Sequence, residues 1–248
     1  MFATSFSNLI GRNRNTIPCD TIVGERRTMP MADESCKACG RCTGNCPTGA
    51  ISLVDGKWTL DLGKCIFCMD CSMVCPEKAI SEAEAPDYAL SRDELVVDRD
   101  TAIGDLERPL DPAVRRMFGG SLAIRELDTG SCNACEIELN CTSNQFYDSH
   151  RFGIKVVASP RHADALVVTG PMAENMREAA VRTNDAVPSP KLIVASGTCA
   201  ISGGLFVGGD VAPSGISDVL KPDMYIIGCP PSPDRVIRSL VKAVGLRH

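Results

Sequence analysis

A run of 18 residues, "SCKACGRCTGNCPTGAIS" (35–52), constrains this chain more than any other stretch. Cys36, Cys39, Cys42 and Cys46 stand with two, two and three residues between them, and Pro47 follows. The pattern returns 29 residues later as "KCIFCMDCSMVCPEKAIS" (64–81), with Cys65, Cys68, Cys71 and Cys75. A segment this short, repeated with its cysteines in step, predicts one structural unit used twice about a pseudo-two-fold axis.

Fourteen cysteines in 248 residues could mean a disulfide scaffold. Most of them lie too close in sequence for a sensible disulfide framework, and "MFATSFSNLIGRNRNT" does not read as a secretory leader. In a reducing compartment such spacing points to metal binding. A net charge of −5 without a basic block argues against nucleic acid as a partner. No stretch approaches 18 consecutive apolar residues, so attachment to a membrane is expected only through other subunits.

Four thiolates on a run that ends Cys-Pro hold iron–sulfur clusters, and two complete runs make the dicluster ferredoxin pattern. Three cysteines on a curled loop aim three sulfurs at one cube. The fourth faces away and serves the other cube. The expected ligand sets are therefore crossed: Cys36, Cys39, Cys42 and Cys75 for one [4Fe–4S] cluster, and Cys65, Cys68, Cys71 and Cys46 for the second. Zinc sites more often pair C-x2-C units across a longer gap, which disfavours zinc here. Gly40, Gly44 and Gly49 are expected at tight turns and as N–H donors to sulfur.

The rest of the chain divides around this unit. Residues 1–30, with four arginines against two acids and a lone Cys19, read as a tail. Residues 31–85 form the dicluster domain. Residues 86–120 read as a solvated acidic linker interrupted by Pro86, Pro109 and Pro112, or as a strap laid over a partner. From 121 to 248 the character changes. "IKVVAS" (154–159), "ALVVTG" (165–170), "KLIVASG" (191–197) and "MYIIGC" (224–229) read as strands buried on both faces. Helical stretches at 174–187 and after Ser232 and Pro233 alternate with them, and Gly245 marks a stop. The fold class is thus an α/β doubly wound domain joined to a small α+β dicluster domain.

A third constellation opens with "DTGSCNACEIELNC" (128–141). Cys132 and Cys135 make a C-x2-C, and Cys199 and Cys229 each follow a predicted strand. Ligands of doubly wound sheets gather at the carboxyl ends of the strands. Cys141 competes as a fifth thiol, although a place inside a helix suits it as a small apolar residue. Glu136 and Glu138 fit the first turn of that helix, with proton handling beside a redox centre as the other reading. "SGGLFVGG" (202–209) lacks the ending of a phosphate-binding loop. Its glycines suit a close backbone approach to a cluster or a partner. His150, His162 and His248 form no ligand pair.

The stretch "SLAIRELDTGSCNACEIELN", with Cys199 and the later "GCPP", resembles the small subunit of membrane-bound, energy-converting nickel–iron hydrogenases of the formate-hydrogenlyase type. That family is similar to the complex I subunit carrying the terminal cluster. Residues 35–95 resemble the ferredoxin-type subunit of the same complexes, so two subunits are fused here. The resemblance implies a flavodoxin-like fold for residues 121–248. It also implies a third [4Fe–4S] cluster on Cys132, Cys135, Cys199 and Cys229, leaving Cys141 out. It implies an electron-transfer oxidoreductase subunit with no nickel site of its own. The implied partners are a nickel–iron large subunit and membrane antiporter-like subunits, at the cytoplasmic side of the membrane. The C-N-A-C-E-I-E form is the hydrogenase one, since the complex I subunit carries two adjacent cysteines before its A-I-E. Two other readings are a complex I-like subunit passing electrons to quinone and a free-standing ferredoxin-like carrier.

Three cubanes set an iron count. Chain reconstituted anaerobically is expected to hold about twelve irons and twelve acid-labile sulfides. A reproducible plateau near eight would remove the third site, and bound zinc would remove the ferredoxin pattern.

Overall fold

The computed structural model describes residues 28–118 and 120–246. Most of the expected tail, Cys19 included, lies outside the described residues. Its last three residues already belong to strand β1 (Thr28–Ala32). In the cysteine-rich half each run supplies one short helix, α1 (Arg41–Asn45) and α2 (Asp70–Met73), and then a strand. The first copy's Ala-Ile-Ser leads into β2 (Ile51–Val54), and the second copy's into β4 (Ile80–Glu84). The two copies part there, because β4 pairs antiparallel with β1 while β2 pairs with β3 (Lys57–Asp61). Asp55 and Gly56 join β2 to β3 with φ of 51° and 76°. That is the left-handed pair a two-residue hairpin turn requires.

The expectation of a solvated connector over 86–120 is corrected by the structure. Tyr88–Ala89 form strand β5 and Val96–Val97 form β6, which pairs with β3. Five parallel strands follow in the second half: β7 (Leu122–Asp128), β8 (Ile154–Val156), β9 (Ala165–Thr169), β10 (Leu192–Ser196) and β11 (Met224–Ile226). β5 joins them at the edge, antiparallel to β11, so the six-stranded sheet runs β5-β11-β10-β9-β7-β8. The segment is therefore a strap that gives one strand to the six-stranded sheet and one to the three-stranded sheet β2-β3-β6.

Every residue of β9 and β10 is buried, as a sheet covered on both faces demands. Alternate residues serve two apolar clusters. Leu166, Val168 and Ala195 pack with Leu62, Ile201 and Ile227 on the cysteine-rich side. Val167, Val194 and Ile226 pack with Ile237, Leu240 and Val244 of the last helix. The two halves therefore share one core.

Two acids of the strap, Asp87 and Glu107, meet bases far along the chain. Asp87, with 8% of its side chain exposed, takes two 2.9 Å hydrogen bonds from the Arg238 guanidinium, and Arg235 and Lys242 stand 3.4 Å away. Glu107 accepts from Lys242 at 2.6 Å. These bases lie on the last helix (Pro233–Val244), where Arg235 and Arg238 are buried along with the apolar face. Asp234 completes the cluster by pairing with Arg238. Ser232 stands at the N-cap position without a side-chain cap bond, so Pro233 alone carries the start signal, and Gly245 ends the helix at φ 73°.

Burial alone would raise the Asp87 carboxyl, but Arg238, Arg235 and Lys242 hold it below the usual aspartate range. A carboxyl depressed on folding stabilises above its unfolded value, and that contribution fades as pH falls below about 4. Asp87→Asn removes a carboxylate from beside the buried Arg235 and Arg238 guanidinium groups and leaves Asp234 there. It is expected to cost about 3 kcal/mol at neutral pH, read as a lower urea midpoint. The gap to the native chain should narrow on acidification below about pH 4.

Candidate metal centres

The cysteine loops are curled by left-handed backbone. Ala38 (φ 50°) and Phe67 (φ 59°) occupy equivalent places inside the two C-x2-C turns, and Asn133 (φ 68°) lies inside the third. Gly40 (φ 77°) is matched by Met69 (φ 63°), and Gly49 (φ 61°) by Lys78 (φ 51°). Gly44 instead lies inside α1, which corrects its expected turn role. The left-handed region is costly for residues with a side chain and concentrates at functional sites.

These loops bring the thiols together across the repeat. Cys36, Cys39, Cys42 and Cys75 line one cavity, closed by Trp58, Leu53 and Ile80. Cys46, Cys65, Cys68 and Cys71 line a second, closed by Pro30, Ile51 and Leu60. In each, the cysteine before proline comes from the other run. Among the described residues no three His, Cys, Asp or Glu side chains converge to hold a single ion. The thiols stand around a volume instead, and that donor set of four soft sulfurs with apolar walls fits an iron–sulfur cube. Burial, reinforced by Cys71, Cys46 and Cys68, pushes the Cys65 thiol up to about 12, and Cys71 is pushed up to about 11 by burial with Cys68, Cys42 and Cys46 nearby. A bound cluster must displace those protons, which links its loading to deprotonation.

The N–H donors to sulfur are not the glycines expected. Ala50 donates to Cys46 Sγ at 3.3 Å and Ala79 to Cys75 Sγ at 3.4 Å, the same four-residue step in both copies. Phe67 donates to Cys65 Sγ at 3.4 Å. Cys46 illustrates the effect. Burial would raise its thiol, yet backbone donors at Thr48, Ala50 and Ile51 with the Thr48 hydroxyl bring it below the ordinary value.

The third set gathers at the carboxyl edge of the six-stranded sheet. Cys132 and Cys135 follow β7, and Cys135 lies in the first turn of the helix Ala134–Cys141. Cys199 lies in the short helix Thr198–Ser202 after β10, and Cys229 follows β11. Burial raises the Cys135 thiol, and Glu136, Cys199, Cys229 and Cys132 reinforce it. Cys199 is pushed up to about 12 by burial, then by Cys229, Cys132 and Glu136. Cys141 ends its helix half-buried, with Tyr147 in its neighbourhood. Gly197, at φ 88°, is required where it stands, because a Cβ there would lie 2.7 Å from Cys135 Sγ. Within "SGGLFVGG", a Cβ on Gly204 would lie 3.0 Å from Cys199 Sγ.

Glu136 does stand in the first turn of its helix. It is buried, with no hydrogen-bond partner at either carboxylate oxygen. Glu138 is half-buried. His150 and His162 are exposed, and His248 lies outside the described residues. Sequence reasoning missed β7, the strand that delivers Cys132 and Cys135. Its "LAIRELD" mixes charge into an apolar run, although Leu122, Ala123 and Ile124 were the available signal.

Comparison with known proteins finds two family matches on separate stretches of the chain. Residues 132–243 match the family described as NADH ubiquinone oxidoreductase, 20 kDa subunit, and residues 35–80 match the 4Fe-4S dicluster domain. Formate hydrogenlyase subunit 7 of Escherichia coli is 38% identical over 147 residues, which is 59% of this chain and 56% of that protein. A "Probable membrane-bound hydrogenase subunit" of Pyrococcus furiosus is 34% identical over 129 residues, 52% of this chain and 77% of that one. An NADH-quinone oxidoreductase subunit of Desulfovibrio desulfuricans is 39% identical over 108 residues, 44% and 58% of the two chains.

The crossing of the repeats gives a direct test. Cys46→Ala is expected to lose the cluster at Cys65, Cys68 and Cys71, dropping iron to about eight per chain, while the spectroscopic signal from the Cys36 site persists. Loss of the Cys36 signal instead would reverse the assignment.

Proposed function

The chain belongs to the family described as NADH ubiquinone oxidoreductase, 20 kDa subunit, preceded here by a 4Fe-4S dicluster domain, and from that premise we propose that it carries three [4Fe–4S] clusters and relays electrons to or from a nickel–iron large subunit that interconverts protons and hydrogen. At the coarser level it is an iron–sulfur electron-transfer subunit of a hydrogenase- or complex I-type oxidoreductase complex. The observation that supports the finer reading is the grouping of the thiols: two sets of four each line a cavity, and Cys132, Cys199 and Cys229 lie near Cys135 at the carboxyl edge of the six-stranded sheet.

In this reading Cys36, Cys39, Cys42 and Cys75 hold the first cluster, Cys65, Cys68, Cys71 and Cys46 the second, and Cys132, Cys135, Cys199 and Cys229 the third. The clusters supply one-electron redox chemistry when bound. The chain's own residues fix the sulfurs, shield them behind apolar side chains and place N–H groups on Cys46, Cys65 and Cys75. The organisation we propose is a tail over 1–30, a dicluster domain over 31–85, a connecting strap over 86–120 and a flavodoxin-like hydrogenase-small-subunit domain over 121–248.

The partner surface is read from exposed apolar residues beside the third set. Ile137 follows Cys135 by two positions, and Leu205, Phe206, Val207 and Val211 lie on the loop after Cys199, all substantially exposed. An apolar patch of this kind marks a protein interface. Among the described residues no helix is long and apolar enough to cross a membrane. Attachment at the cytoplasmic face would come through antiporter-like subunits. The complex I-like reading, with quinone as acceptor, has support from the Desulfovibrio desulfuricans relative. The C-N-A-C-E-I-E form favours the hydrogenase side.

Affinity purification from the native host under anaerobic conditions is expected to recover a larger, nickel-containing chain and hydrogen activity with a low-potential dye. Val207→Asp should abolish that recovery while iron per chain is unchanged. A nickel-free partner reducing quinone would move the protein to the complex I-like reading, and a lone monomer would favour a simple carrier.

A further inference from the structure

The helix Thr198–Ser202 begins at Gly197 without a side-chain cap. Gly197 holds the N-cap position and has no side chain to bond the free N–H groups of the first turn, and Thr198 is the first helical residue. Its hydroxyl donates to the carbonyl of Cys65 at 2.8 Å, across 133 residues of sequence, and lies 3.1 Å from the carbonyl of Gly228. The Thr198 N–H also donates to Gly228 O, at 2.9 Å. The residue is 1% exposed. One buried hydroxyl thus joins a peptide of the second thiol set to the peptide preceding Cys229, from the residue preceding Cys199.

The same seam is close-packed. A Cβ on Gly63, two residues before Cys65, would lie 2.7 Å from Ile201 Cγ2 and 3.1 Å from the Arg92 guanidinium carbon. Ile201 is buried in the shared core and branched at its Cβ, so it has little room to yield. Arg92 is in turn held by Asp61 at 2.6 Å. Polar and apolar contacts therefore fix the Cys65 loop against the helix that carries Cys199.

We propose that the Thr198 hydroxyl is a positioning group that locks the Cys65 ligand loop onto the Cys199 and Cys229 loops, holding the second cluster site in fixed register with the third. This rests on the function proposed above. The register serves exchange of one electron between the two bound groups, one oxidised as the other is reduced, with no bond made or broken. A buried hydroxyl donor suits the task because its loss leaves a carbonyl unpaired at the seam.

The test uses the whole chain, reconstituted anaerobically and reduced with dithionite as one-electron donor. Pulsed electron paramagnetic resonance reads the spin–spin coupling between cluster sites, with Cys39→Ser and Cys68→Ser assigning the first and second. In the native chain the third site is expected to couple most strongly to the site altered by Cys68→Ser. Thr198→Val, which keeps the shape and removes the donor, should weaken or broaden that coupling several-fold at unchanged iron content. Amides around 63–66 and 197–200 should then exchange several-fold faster with solvent, and Thr198→Ser should restore both. A hydroxyl bond that merely stabilised the fold would lower stability on Thr198→Val without moving the coupling.

Coupling of the third site mainly to the Cys39 site overturns the proposal, as does unchanged coupling in a fully loaded Thr198→Val chain. Should Thr198→Val fail to load, Gly63→Ala prises the same seam, and unchanged coupling there overturns the proposal equally. A native chain that stops at eight irons removes the three-cluster function and this junction together. Twelve irons with unchanged coupling removes the junction alone.

Discussion

Parallel strands end on the same side of their sheet, and the third thiol set depends on that constraint. β7, β10 and β11 deliver Cys132 with Cys135, Cys199 and Cys229 to one edge, although the sequence separates them by up to 97 residues. The sheet can hold that edge steady because both its faces are packed, one by the last helix and the other by the cysteine-rich half. Burial on both faces is what parallel pairing requires. Here the second cover is itself the carrier of two further thiol sets, so covering the sheet and aligning the three sets are one act of packing.

The loops around the thiols are less comfortable than the elements they join. Ala38, Phe67, Met69, Lys78 and Asn133 are all left-handed without being glycine, and each such residue costs on the order of 1 kcal/mol. Glu136 adds a buried carboxyl with no hydrogen-bond partner, and several thiols are raised by burial and crowding. The surrounding sheet and strap hold these features in place. A group bound by the thiols would relieve the protonated crowding, and so its binding and the stability of the fold are linked.

How the thiols of the two runs group was readable because the spacing is local: four cysteines and a proline within a dozen residues leave few arrangements. The strands at 165–169 and 192–196 were readable for a similar reason, since uninterrupted Val, Ile and Leu mark burial on both faces. The strap was not. Its acids look solvated until Arg235, Arg238 and Lys242, some 150 residues further along, are seen to meet Asp87. β7 was hidden by Arg125 and Glu126 within it, and the donors to sulfur by the fact that backbone N–H groups have no signature in side-chain identity. Thr198 shows the same limit, as its partner is a carbonyl fixed only by how the two halves meet.

The antiparallel pairing of β5 with β11 has a consequence for assembly. Two separate chains meeting at this seam would associate to a degree set by their abundance, and dilution would part them. With Tyr88 and Ala89 built into the larger sheet and Val96 and Val97 into the smaller, the two halves meet at an effective concentration that does not depend on how much protein the cell makes. Their ratio is fixed at one to one by the peptide chain, so neither half can be made without the other.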